Sequence, residues 1–303
     1  MNNDFIIKDG VLVQYTGNEE YVWLPSEIIA IGDGAFRGNR NVKIVTIYHS
    51  LKYIGHGAFY GCERLEHLNI NRKQGEVGRV GRIGRRAFSH CINFRPELTD
   101  FIRSVRIIGD YAFEDCGTEY IHLSADYGFH VYRLNPEYND NPEPEGWFYG
   151  CQKLKRVSND PIADVQIFPG MFENCTALTH IDLNCIGINQ RAFKGCTALK
   201  ALTAYTFFIR EESFANCTAL ETIDFSRLGI ASNCERAFAN CTSLKEIVMT
   251  ERCSSIRPGM FMGCTGLKRA VLPDTLEEVA EDAFSGCTAL EDISYFHVEQ
   301  TEE

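Results

Sequence analysis

The sequence predicts an α/β repeat solenoid, a right-handed superhelix of short strands joined by short helical turns. Three observations predict it. Phe recurs at eleven equivalent positions spaced 21 to 35 residues apart, Cys stands three residues after ten of them, and within the copies the apolar period changes from three to two. The repetition is visible in "FKGCTALKAL" from Phe193, "FANCTALETI" from Phe214 and "FSGCTALEDI" from Phe284. Units of this length cannot bury an apolar face alone and do so by stacking on their neighbours.

Each unit reads as strand, turn, strand. Nine units carry Ile or Val five residues before the Phe (Ile31, Ile54, Ile83, Ile108, Ile167, Ile188, Ile209, Ile256 and Val279), which marks a first short strand. Seven have Ala immediately before the Phe, suiting a turn with no room for a larger side chain. Phe, Cys and Leu then follow at steps of three, as in Phe214, Cys217 and Leu220, the spacing of a short helical or 3₁₀ turn. Gly or Asn stands two residues after the Phe in nine units, for example Gly61, Gly195, Asn216 and Asn240, where a left-handed backbone ends the turn. The period then falls to two, as in Ile181 and Leu183, which reads as a second strand. The recurrent leucines make this a leucine-rich-repeat pattern.

Stacking turns the ten cysteines into a buried column at roughly the ~4.8 Å inter-strand spacing. Only Asn39 breaks it, and Cys185 and Cys253 fall at a position held elsewhere by Ile28, Leu51 or Leu276. Parallel stacked thiols rarely reach a disulfide torsion, so free thiols are expected. With no Cys-x-x-Cys and no zinc spacing, neither metal nor cofactor is expected. The Asn-Cys-Thr sequons at Asn174, Asn216 and Asn240 coincide with the turn position, and their repeat role explains them.

A formal charge of −11 and a pI near 5.3 argue against nucleic acid as a partner, and no apolar run is long enough for membrane insertion. The opening "MNNDFIIKDGVLVQYTG" lacks the pattern of a secretory signal. Asp182 and Asp224, about two rungs apart on an open sheet face, lack the burial and pocket that acid–base catalysis needs, so no enzyme is expected.

Two irregular stretches are the candidate sites. Before Phe148 an insertion, residues 124–147, gathers Tyr127, Phe129, Tyr132, Tyr138 and Trp147, aromatic anchors for a protein or a glycan. From Arg72 to Arg106 nine Arg or Lys face three acidic residues, a local net of +6. Within it "GRVGRIGRRAF" places Arg79, Arg82, Arg85 and Arg86 as an anion-binding patch, without the Gly-Lys-Ser/Thr ending of a phosphate loop.

The pattern resembles the BspA-like, or Treponema pallidum type, leucine-rich repeat proteins. "LPDTLEEVAEDAFSGCTALEDISY" from Leu272 to Tyr295 and "WLPSEIIAIGDGAF" from Trp23 to Phe36 carry the likeness. The resemblance implies an N-terminal cap hairpin in "DFIIKDGVLVQYTG", a solenoid of about eleven units over residues 23–296 after a cap at 1–22, and a short acidic tail at 297–303. It also implies a non-enzymatic binding protein at a cell surface or secreted, mediating adhesion or protein–protein interaction, although no signal peptide or anchor is seen. A protein is the first partner expected. A carbohydrate bound on Trp147 and the tyrosines, or self-association of a scaffold through basic-to-acidic contacts, are the alternatives, and the oligomeric state is left open.

Overall fold

The computed structural model describes residues 4–47, 51–70, 80–96, 105, 107–123, 144–160, 165–230, 233–251 and 253–296. Contacts divide the chain into two compact units, Met1–Leu154 and Lys155–Glu303.

Unit 1 starts with an antiparallel hairpin, Phe5–Lys8 against Val11–Tyr15. Asp9 and Gly10 between them both have positive φ, 51° and 75°, the two-residue turn whose twist matches flanking strands. The second hairpin strand continues in parallel into Ala30–Ile31, then Leu51–Ile54, Val80–Ile83 and Ile107–Ile108. A separate parallel sheet joins Tyr21–Trp23, Ile44–Ile47 and His67–Ile70. Tyr15 in the hairpin lies 5.0 Å from Phe36, so the hairpin covers the first ring of the phenylalanine column.

Unit 2 repeats the arrangement. Gln166–Ile167, Asn184–Ile188, Tyr205–Ile209 and Leu228–Ile230 form one parallel sheet. Shorter parallel pairings join Arg156–Asn159 to His180–Asp182, Ala201–Leu202 to Thr222–Ile223, and Ser255–Ile256 to Glu278–Val279. Glu246–Val248, Arg269–Pro273 and Asp292–Phe296 make a further parallel sheet. Each of the nine Ile or Val residues five before a Phe is the last residue of a strand.

The core is a column of rings. In unit 1 Phe36, Phe59, Phe88, Phe113 and Phe148 stack at 4.8 to 5.6 Å. In unit 2 Phe172, Phe193, Phe214, Phe238, Phe261 and Phe284 stack at 5.3 to 5.7 Å. Beside the rings run the thiols, which reach back one repeat: Cys62 Sγ donates to Phe36 O at 3.0 Å, and Cys217 Sγ to Phe193 O at 3.3 Å. The Phe carbonyl already accepts the backbone N–H three residues on, as from Asn39 N to Phe36 O at 2.9 Å and Cys196 N to Phe193 O at 3.2 Å, and the small thiol of the next repeat adds a weak second donor. All thirteen cysteines are free, twelve buried and Cys287 half-buried. Burial pushes the thiols of Cys62, Cys185 and Cys217 up to about 12.

The short helices expected at each Phe do not form there; the segments are hydrogen-bonded turns. The cause lies in where the backbone donors point. Around Phe59, Gly57 N donates to Arg85 O, Phe59 N to Ala87 O and Gly61 N to Ser89 O, all at 2.7 to 2.9 Å. Donors at alternate positions are thus taken by the next unit and are not available for a helical ladder. Residues two before and two after the Phe take positive φ to allow this: Gly57 (56°) and Gly61 (70°), and equally Arg86 (53°) and His90 (59°). The left-handed position after the Phe was expected from Gly and Asn; its twin before the Phe is often filled by Arg, Glu or Tyr and carries no such signal. Bonds left within the turn are isolated ones, mostly of the i to i+3 kind, such as Cys62 N to Phe59 O at 3.0 Å.

Candidate functional site

The turn between the strands repeats side chains in register, so positions three before and one after each Phe line up across units. In the first three units these columns read Asp33, His56, Arg85 and Arg37, Tyr60, Ser89. Arg37, His56, Gly57, Tyr60, Arg85 and Arg86 line a shallow, open depression of 530 Å³.

Its parts are held in place by neighbouring units. His56 N donates to Asp33 Oδ1 at 2.7 Å, and Arg85 N donates to His56 Nδ1 at 3.0 Å, which places the ring proton on Nε2. The Arg37 guanidinium lies 4.6 Å from the Tyr60 ring centroid, a cation–π contact that orients it without neutralising it. Arg86 is engaged more fully: its guanidinium is 5.6 Å from the Tyr111 ring, and its Nε is 3.6 Å from Glu114 Oε2, which also accepts from Ser89 Oγ at 2.7 Å. Among the described residues, neither Arg37 nor Arg85 forms an ion pair with a carboxylate. The two exposed guanidiniums therefore present donors in the fork geometry that suits carboxylate or phosphate oxygens.

Of the four arginines expected to bind an anion, Arg85 and Arg86 line the depression. Arg82 lies on the strand Val80–Ile83, paired with Tyr53 and Ile107, and Arg79 falls outside the described residues. Sequence reasoning missed Arg37, His56 and Tyr60, which come from two other units. The signal was present in the register of the repeat, since aligning on Phe puts Arg37 and Tyr60 in one column and His56 and Arg85 in another.

Tyr127, Phe129, Tyr132 and Tyr138 also lie outside the described residues. Trp147 occupies the slot before Phe148 that Ala fills in seven units, and it is only 5% exposed, so its ring is part of the core and not a displayed anchor. Among the described residues of unit 1 the most exposed aromatics are Tyr21 (60% exposed) and Trp23 (55%), flanking buried Val22 on the first strand of the second sheet. The period-two pattern of "YVW" would have found them.

Asp182 stays exposed, 3.7 Å from Arg156, and Asp224 caps the 3₁₀ turn Phe225–Arg227 by accepting from Ser226 N at 3.1 Å. Among the described residues no group of three or more His, Cys, Asp or Glu side chains is placed to hold a metal ion, and no helix is long and apolar enough to cross a membrane.

The same repeat is found elsewhere. Six copies of the BspA type leucine rich repeat region match residues 12–127, 144–208 and 202–300. A leucine-rich repeat protein from Bacteroides ovatus is similar in structure, with 19% identity, a TM-score of 0.53, and coverage of 95% of this chain and 87% of that one. A leucine rich cell surface protein from Faecalibacterium prausnitzii has 23% identity and a TM-score of 0.47, covering 97% and 94%. The T. pallidum leucine rich repeat protein has 21% identity and a TM-score of 0.44, covering 69% and 82%. No curated protein matches the chain. With the repeat matched over most of its length and the Phe and Cys columns in place, the chain belongs to the BspA-type leucine-rich repeat family.

Proposed function

We propose that this chain is a non-enzymatic binding protein whose partner is a protein presenting an acidic surface to the turn face of unit 1. The observation that carries this reading is the pair of guanidiniums of Arg37, set against the Tyr60 ring, and of Arg85, whose backbone N–H is fixed on His56, neither neutralised by a carboxylate among the described residues. Their column positions matter as much as their charge. A repeat presents them on a stiff backbone ladder, so a partner does not have to order them on binding. The depression is open and exposed, which suits a protruding acidic side chain more than an enclosed small molecule. Tyr21 and Trp23 on the sheet face offer apolar contact of the kind that anchors protein interfaces.

The aromatic insertion, the acidic tail and a solenoid running without a break over residues 23–296 remain part of this proposal. So does adhesion at a cell surface, the setting that the family resemblance implies, which protease shaving of intact cells would test.

The binding reading is tested with poly-L-glutamate as the acidic probe and the full chain, wild type against the triple variant Arg37→Ser, Arg85→Ser, Arg86→Ser. Salt-sensitive binding that weakens more than about tenfold in the variant supports it. Equal binding by both proteins would end it.

A further inference from the structure

Two successive Phe spacings in unit 2, from Phe172 to Phe193 and from Phe193 to Phe214, are only 21 residues, the shortest in the chain. The missing length is taken from the corner between the two strands of a unit. Leu183 alone separates the strands His180–Asp182 and Asn184–Ile188, and Thr203 and Ala204 alone separate Ala201–Leu202 from Tyr205–Ile209. The corner that follows is longer, Asp224 to Arg227. The two short corners beside this longer one leave a recess. A depression of 340 Å³ lies there, lined by Asn159, Asp182, Leu183, Asn184, Thr203, Tyr205 and Arg227.

We infer that this recess is a saccharide-binding site. Its volume lies near the lower end of small-molecule pockets, which run roughly 300–1,000 Å³, and so fits one or two sugar rings. Its polar groups are those that pair with hydroxyls: a carboxylate, amides, a threonine and a tyrosine hydroxyl, and one guanidinium. One charge of each sign, from Asp182 and Arg227, gives no net preference for a polyanion. Asp182 is 74% exposed and meets Arg156 only at 3.7 Å, which leaves carboxylate lone pairs for a vicinal diol. Thr203 Oγ1 donates to Ile181 O at 2.7 Å, so toward the recess it acts as an acceptor.

The frame is rigid where it needs to be. Asn159 clamps the backbone of Asn184 from both sides, Nδ2 donating to Asn184 O at 2.5 Å and Oδ1 accepting from Asn184 N at 2.8 Å. Tyr205 N donates to Leu183 O at 2.7 Å, fixing one corner on the other.

An aromatic platform stands next to these groups. Phe207 is 68% exposed, more than any other large hydrophobic side chain among the described residues, and its ring is 6.0 Å from Tyr205 in an edge-on contact. It belongs to the same strand as Tyr205, two residues on, and so points to the same face of the sheet. No packing need explains so exposed a ring; stacking on the apolar face of a pyranose does. The site is independent of the arginine depression of unit 1, and of Trp147, whose ring is buried.

The test is a glycan array probed with the full chain, followed by calorimetry with the methyl glycoside of the terminal sugar bound. Asp182→Ala and Phe207→Ala change exposed side chains and should leave the thermal melt in place. The inference expects a saccharide hit whose affinity falls about tenfold or more in each variant and is unchanged when Arg37, Arg85 and Arg86 are replaced by Ser. An array without a hit would overturn it. So would a hit that both variants retain, or a site that takes a peptide instead.

Discussion

Replacing Phe193 tests how far the ring column holds the fold together. Phe193 is fully buried and stacks on Phe172 at 5.3 Å and 15° and on Phe214 at 5.3 Å and 6°. Phe193→Ala deletes the ring and leaves a cavity between two rings that the backbone ladder prevents from closing, so a cost of about 3–5 kcal/mol is expected. Phe193→Leu keeps most of the apolar volume and removes both stacks, each worth ~0.5–1.5 kcal/mol, for about 1–3 kcal/mol in total. Urea unfolding of the two variants measures these costs. Because repeats couple mainly to their nearest neighbours, amide exchange should speed up first at Phe172 N and Phe193 N, which donate to Ala192 O and Ser213 O at 2.8 Å. If Phe193→Leu matched wild type, or Phe193→Ala cost less than about 1.5 kcal/mol, the column would be filling space and no more.

Other predictions concern the turn, the thiols and one surface carboxylate. Asn216 has φ 62°, so Asn216→Gly should be neutral or mildly stabilising and Asn216→Ala destabilising by about 1 kcal/mol, read from urea midpoints; the reverse order would contradict the left-handed turn. Cys287 is half-buried and its contact with the neighbouring Cys264 thiol holds it below the ordinary range, while burial pushes Cys217 up to about 12, so a thiol reagent at pH 8 should label about one site in the folded chain and all thirteen in urea. Glu20 is held below its ordinary value of 4.5 by Lys43 at 2.9 Å and Arg64 at 2.7 Å. A depressed carboxylate contributes stability above its unfolded pKa and loses it as pH falls through the folded one, so Glu20→Gln should lower the melting temperature slightly at neutral pH, and the difference from wild type should vanish as pH falls below 4.5.

Much of the fold was legible because the repeat forces each residue type into one environment many times. The Ile and Val before each Phe end their strands, the cysteines line a buried column, and Gly and Asn after the Phe take positive φ. The helical turn was misread because a step of three fixes side-chain facing and says nothing about where backbone donors go. Phe59 N bonds to Ala87 O in the next unit, a partner that no local pattern encodes. The candidate site was half legible for the same reason. Arg85 and Arg86 stood out as a charge run, whereas Arg37, His56 and Tyr60 reach the depression from 25 to 49 residues away in sequence and meet it only through stacking. Trp147 read as an exposed anchor from its neighbours in sequence, and it is its register, one residue before Phe148, that buries it.

The most direct measurement of the binding claim is an NMR titration of the full chain, following arginine side-chain Nε–H resonances as poly-L-glutamate is added. The account predicts saturable shifts at Arg37 and Arg85, smaller ones at Arg86, which Glu114 already engages, and none at Arg227 or Arg269 in unit 2. Shifts spread evenly over the arginines, or their absence at Arg37 and Arg85, would contradict it.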